Sequence, residues 1–121
     1  MAGAAALAIP LPVVEAPIGV TEVINAMALG KAVIMTRNPY IDFDVDAAGC
    51  GLIVEPGDVD GWETALRHLD HEPDQAAEMG RRARTAADAG LNYASFCEGL
   101  ASIMQSVLSE TASGAGANAG R

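Results

Sequence analysis

The sequence predicts an α/β fold, a parallel sheet flanked by helices and followed by C-terminal helices. Three observations carry this. Short apolar runs at Leu7–Leu11, Ala32–Thr36 and Gly51–Val54 alternate with longer segments of helical period. The second and third runs are continuous rather than alternating, as in strands covered on both faces. The order strand–helix–strand, then strand–helix, is that of parallel strands joined by crossovers. Three strands are few for such a sheet and make about half of a doubly wound domain.

Each element follows from local signals. After Leu7–Leu11, Pro10 and Pro12 interrupt the apolar run, and Pro17-Ile18-Gly19 leads into a helix. Val20, Val23, Ile24 and Met27 recur at helical spacing, and Gly30 suits the position just past the helix end. Ala32–Thr36 is the strand that follows, closed by Arg37-Asn38-Pro39. Gly51–Val54 is the next, closed by Glu55-Pro56-Gly57. Asp58 then serves as N-cap of a helix whose apolar side is Trp62, Ala65, Leu66 and Leu69. Pro73 fits the first turn of a further helix that Gly90 ends. Arg81, Arg82 and Arg84 on it read as a solvated basic face. The last helix aligns Phe96, Leu100, Ile103 and Val107 on one stripe. From Ser109 the Ser/Gly/Ala composition predicts a flexible tail over 109–121.

The 121 residues suffice for one domain. Half of them are hydrophobic, which excludes wholesale disorder. Seven Lys and Arg against sixteen Asp and Glu give a net charge of −9. No broad field attracts phosphate, so non-specific nucleic-acid and anionic-membrane binding are excluded. The apolar start lacks the basic residues of a signal peptide, since no Lys or Arg precedes Lys31. No apolar stretch is long enough to span a bilayer, so the expected location is the cytoplasm. Cys50 and Cys97 have no zinc-ligand spacing and read as buried free thiols. His68 and His71 share a helix face but lack further ligands, so no metal is expected. Asp42–Asp46 fails as a calcium loop, because Ala47 and Ile53 stand where Gly and Glu are needed. It reads as a solvated loop or edge strand with Phe43 and Val45 turned inward, a substrate-facing loop being the lesser reading.

One segment has functional content. A Gly loop after a sheet strand opens a helix, and ligands of open parallel sheets bind outside the carboxyl ends of strands. The helix start gathers free N–H groups and the positive end of the macrodipole. Gly19 lets a phosphate approach the backbone. The Thr21 hydroxyl either caps the helix or donates to a phosphate oxygen.

The longer string Gly19-Val-Thr-Glu-Val-Ile-Asn-Ala-Met-Ala-Leu-Gly-Lys-Ala-Val-Ile-Met-Thr36 resembles the donor-site segment of retaining GT-B glycosyltransferases. Their Glu-Ala-Met-Ala-x-Gly helix and Lys-Pro-Val-Ile strand are matched by Ala26–Lys31 and Ala32-Val33-Ile34, with Ala in place of Pro. Gly49-Cys-Gly-Leu-Ile-Val-Glu-Pro-Gly-Asp58 resembles the segment that follows, and Met79–Arg84 and Phe96 come in the family's order. The likeness covers about residues 7–108 and implies a partial Rossmann-like donor domain. It implies a nucleotide-sugar as substrate, no metal or other cofactor, and Ile18, Gly19, Val20, Thr21, Glu22 and Asn25 as donor-binding residues. Catalytic residues are not identified.

Two departures stand out. The family's two glutamates, eight residues apart, fall on Pro17 and Asn25. Asn25 still forms hydrogen bonds but lacks the charge that strengthens a carboxylate–hydroxyl contact, and Glu22 lies one turn earlier to compensate in part. The family's acceptor domain and diphosphate-binding Arg/Lys pair have no counterpart. The implied function is a glycosyltransferase donor half-site, inactive alone; the alternative is a non-catalytic binding module, and an epimerase of the same fold ranks third. The last-helix stripe is then covered by an N-terminal acceptor domain or by self-association.

Overall fold

A computed structural model describes residues 3–118, with side chains through residue 112. The elements are β1 (Ala6–Ile9), α1 (Val20–Ala28), β2 (Ala32–Thr36), β3 (Gly51–Val54), α2 (Val59–His71), α3 (Pro73–Ala89) and α4 (Tyr93–Asn118). The three strands form one parallel sheet in the order β1-β2-β3. The fold is thus the predicted α/β arrangement. It divides into two units, residues 1–89 and 90–121.

β2 is the central strand, and all five of its residues are buried. It pairs Ile34 with Ala8 on one side and with Leu52 on the other. Side chains alternate across a strand, so Ala32 and Ile34 share one face and Val33 and Met35 the other. On the first face Ala32 and Ile34 meet Val54, Ala65, Leu69 and Ala76 from β3, α2 and α3. Thr36 is buried, and its hydroxyl oxygen accepts the Leu11 N–H at 2.9 Å. This bond explains why β1 ends at Ile9 rather than Leu11. Pro10 has no N–H for a ladder, and the Leu11 N–H turns to a side chain instead. Of β1 only Ile9 is buried, as befits an edge strand.

α2 begins as expected, with the Asp58 carboxylate accepting the Gly61 N–H at 2.9 Å. Ala65 and Leu69 are buried and Trp62 is half-buried. Leu66 departs from the expected apolar side and is half exposed, on the flank of the narrow strip that the core covers. α3 buries only small residues, Ala76, Gly80, Ala83 and Ala87. Their size lets its backbone approach the Gly30 turn that ends α1. The basic face of α3 is more than solvated. Arg84 donates to the Ala28 carbonyl at 2.5 Å, placing a cation at the C-terminus of α1, and also pairs with Asp88. Arg81 and Arg82 pair with Glu78 one turn away. The Arg81 hydrogen bond, with the Arg81 and Arg82 charges, holds the Glu78 carboxyl below its ordinary range.

In the second unit Asn92 accepts the Ser95 N–H at 2.9 Å and opens α4. The helix continues through Ser109 to Asn118, whereas composition predicts a tail from Ser109. Ala, Ser, Glu and Thr at 109–112 contain no helix breaker, so the chain has no reason to stop there. Residues 119–121 of the predicted tail lie outside the described residues. Among the described residues, no helix is long and apolar enough to cross a membrane.

Candidate functional site

The loop from β1 to α1 leaves the carboxyl end of the edge strand and reaches Gly19 at φ 89°, the left-handed region that favours glycine. Gly19 is itself the N-cap of α1, with no side-chain cap bond. Thr21 is therefore not the cap. It sits at the second helical position and is exposed. The first helical bond runs from the Val23 N–H to the Gly19 carbonyl at 3.1 Å. The N–H groups of Val20, Thr21 and Glu22 consequently have no acceptor within the helix. Together with the macrodipole they make an anion-accepting end, against which the Glu22 carboxylate competes.

Gly19 is needed for space as well as for φ. A Cβ there would lie 3.1 Å from both Leu11 methyl groups and 3.4 Å from Ile9 Cγ2. The close approach that Gly19 offers is thus taken on that side by Leu11, leaving the helix end as the route for an anion. Ile18, Gly19 and Glu22 line a groove of about 360 Å³ with Ile9 and Leu11. Val20, Thr21 and Asn25 do not line it. Val20 is half-buried, and Asn25 is exposed one turn beyond Glu22. The six residues read as one site are therefore split between the groove and the outer surface of α1.

Asn38 is the residue that sequence reasoning missed. Its amide nitrogen donates to the Ala16 carbonyl at 2.9 Å and, at 3.4 Å, to that of Ile18, and its oxygen accepts the Tyr40 N–H at 2.9 Å. One half-buried side chain thereby ties the Gly loop to the segment after β2. Asn38→Ala is expected to lower stability by about 1–2 kcal/mol, since three backbone groups lose a partner that water only partly replaces. Urea denaturation measures the loss, and amide exchange should accelerate at residues 16–19. Unchanged exchange there would show that the loop is held by other contacts.

Beside it, Arg37 continues the sheet pattern through its N–H to the Val54 carbonyl at 2.8 Å. Its guanidinium meets Glu55 at 2.6 Å, and that hydrogen bond with the Glu55 charge raises its already high pKa. Arg37, Asn38 and Tyr40 line a second groove of about 400 Å³ with Val13, Val14 and Pro56. The cation at the carboxyl edge of the sheet is thus present but already paired. The signal for both residues was the polar break Arg37-Asn38-Pro39 after an apolar strand.

The remaining candidates carry less. Asp44 accepts the N–H groups of Asp46 and Ala47, so its carboxylate is engaged in a local turn. Val45 is buried and Phe43 half-buried beside it, as the loop reading expects. Cys50 is buried, and burial pushes its thiol pKa up against the opposing charge of Arg82. Cys97 is exposed, contrary to expectation, because it lies on α4 beside the stripe rather than in the core. His68 faces Gln75. Among the described residues, no group of three or more His, Cys, Asp or Glu is gathered as a metal site requires. The chain matches no family model, no curated protein and no solved structure.

Proposed function

We propose that residues 18–25 form the donor half-site of a glycosyltransferase that moves a glycosyl group from a nucleotide-sugar to an acceptor hydroxyl. The observation that carries this reading is the start of α1. Gly19, in the left-handed region, caps a helix start whose first three N–H groups have no acceptor within the helix, on the segment that leaves the carboxyl end of a parallel strand. Fixed N–H dipoles at that place suit a diphosphate whose negative charge grows as the sugar departs. Asn25, one turn beyond Glu22, orients the ribose hydroxyls. No metal or other cofactor enters this reading. The acceptor is held by a separate N-terminal domain, and the reaction belongs to the cytoplasm.

This chain by itself is expected to bind a nucleotide diphosphate sugar weakly and to transfer nothing. Holding donor and acceptor together accounts for roughly 7–11 kcal/mol of such a barrier, and one half-site forfeits most of it. Titration of several nucleotide sugars, followed by backbone amide shifts, should perturb residues 18–25. Thr21→Pro removes one first-turn N–H where proline is tolerated, and should weaken binding, as should Asn25→Ala. Shifts elsewhere with 18–25 silent would move the site, and transfer by the purified chain would refute the half-site.

A non-catalytic binding module is the second reading, and three observations favour it. Leu11 packs on Gly19, Arg37 is held by Glu55, and Glu22 places negative charge at the helix start. On that reading the same titration gives no shifts at residues 18–25.

A further inference from the structure

We propose that the outer edge of β3 is a docking site for an extended, basic peptide segment of another protein, which joins the sheet as a further strand. The hydrogen-bond register carries this. The Val33 N–H donates to the Cys50 carbonyl at 3.2 Å and the Arg37 N–H to the Val54 carbonyl at 2.8 Å. In this parallel register Leu52 and Val54 turn their backbone groups to β2. Gly51, Ile53 and Glu55 turn theirs the other way. The strand order ends at β3, so among the described residues no further strand meets them. The Gly51 N–H goes to the Val45 carbonyl, and the Glu55 carbonyl accepts the Asp58 N–H. What remains is the Gly51 carbonyl, both groups of Ile53 and the Glu55 N–H. Acceptors and donors alternate there as strand addition requires.

Natural edges are often blunted by Lys, Pro or a bulge. Gly51–Val54 contains no Lys or Pro. The opposite edge differs. The Leu11 N–H turns back toward Thr36, so the outward positions of β1 are Ala6 and Ala8, followed by Pro10, which has no N–H to offer. Four residues make few bonds, so neighbouring side chains must add to them. Leu52 and Ile53 share a groove of about 580 Å³ with Asp58 and Asp60 of the α2 start. Asp58 keeps its charge while capping α2, and the Asp60 carboxylate has no ion pair among the described residues. Glu55, also on the groove, is held by Arg37, and His68 faces Gln75. Two uncompensated carboxylates favour a basic segment over a second copy of a chain that carries −9. The whole site lies within residues 1–89 and does not depend on what α1 binds.

Amide exchange of the full chain, read by NMR with and without peptide, tests the proposal. In the free chain Ile53 and Glu55 should exchange faster than Leu52 and Val54. The probe is a blocked hexapeptide of alternating valine and threonine with a lysine at each end. At saturation it should slow exchange at Ile53 and Glu55 by at least about tenfold. The same peptide N-methylated throughout should not, because it has lost its donors. Asp60→Lys should weaken binding at least about threefold. Asp70→Lys changes the net charge equally but lies off the groove, and should leave binding nearly unchanged. Equal protection across residues 52–55 in the free chain would show the edge already covered and overturn the proposal. Protection there that rises with protein concentration would give the edge to a second copy and also overturn it. So would peptide binding that leaves Ile53 and Glu55 unchanged, equal binding when glutamate replaces each lysine, or no binding at roughly millimolar peptide.

Discussion

Gly80→Ala should lower the melting temperature by about 8–16 °C, despite replacing a helical glycine with the best helix former. Propensity alone favours the substitution by about 1 kcal/mol. Packing opposes it. A Cβ on Gly80 would overlap the Gly30 carbonyl oxygen and lie 3.0 Å from the Gly30 carbonyl carbon. Those are backbone atoms, so no rotamer change relieves the overlap. α3 must retreat from α1, and the shift also strains the Arg84 bond to the Ala28 carbonyl. Overpacking of this kind costs about 3 kcal/mol and leaves roughly 2 kcal/mol after the propensity gain. In a unit of this size each kcal/mol moves the midpoint by about 4–8 °C. The Gly30 turn fixes the far end of α1, so the same variant should disturb the amides of residues 18–22. A raised melting temperature would mean that α3 does not approach α1 as closely as its small-residue stripe indicates.

What was legible in the sequence was local. β2 and β3 announced themselves as continuous apolar runs, and the Asp58 cap and the Pro73 and Gly90 boundaries were written in adjacent residues. The errors have physical causes at longer range. Leu11 reads as strand, but its N–H goes to the Thr36 hydroxyl twenty-five residues away. Leu66 reads as core, but the covered strip on α2 is too narrow to include it. Thr21 has the chemistry of a cap, yet Gly19 occupies the cap position, where a left-handed φ and close contact with Leu11 and Ile9 suit a residue without a side chain. The Gly loop was visible as a stretch of chain. What holds it was not, since Asn38 reaches back across about twenty residues to Ala16 and Ile18. Period and capping identify elements; only the fold decides which distant carbonyl a side chain meets.

Ile34→Ala should remove about 4 kcal/mol of stability, the largest loss expected for one truncation in the sheet. Ile34 is 1% exposed and stands at the middle of the central strand, paired on both sides. The buried residues of that face are Ala32, Val54, Ala65, Leu69 and Ala76, with Ala6, Leu52, Trp62 and Met79 packed against them. The four alanines among these cannot extend into the space left behind. Isoleucine-to-alanine losses run from about 2 to 5 kcal/mol according to how far a site collapses, and a rigid, alanine-lined site belongs near the upper end. Native stabilities for a unit of about ninety residues lie near 5–13 kcal/mol, so the loss is a large share. Ile34→Val, which removes one methyl group, should cost about 1 kcal/mol. Urea denaturation of the full chain gives both values from the shift in midpoint at constant slope. A loss below about 1 kcal/mol for Ile34→Ala would mean that the face between β2, α2 and α3 can close over the gap. The sheet would then be too soft to hold the start of α1 in one place.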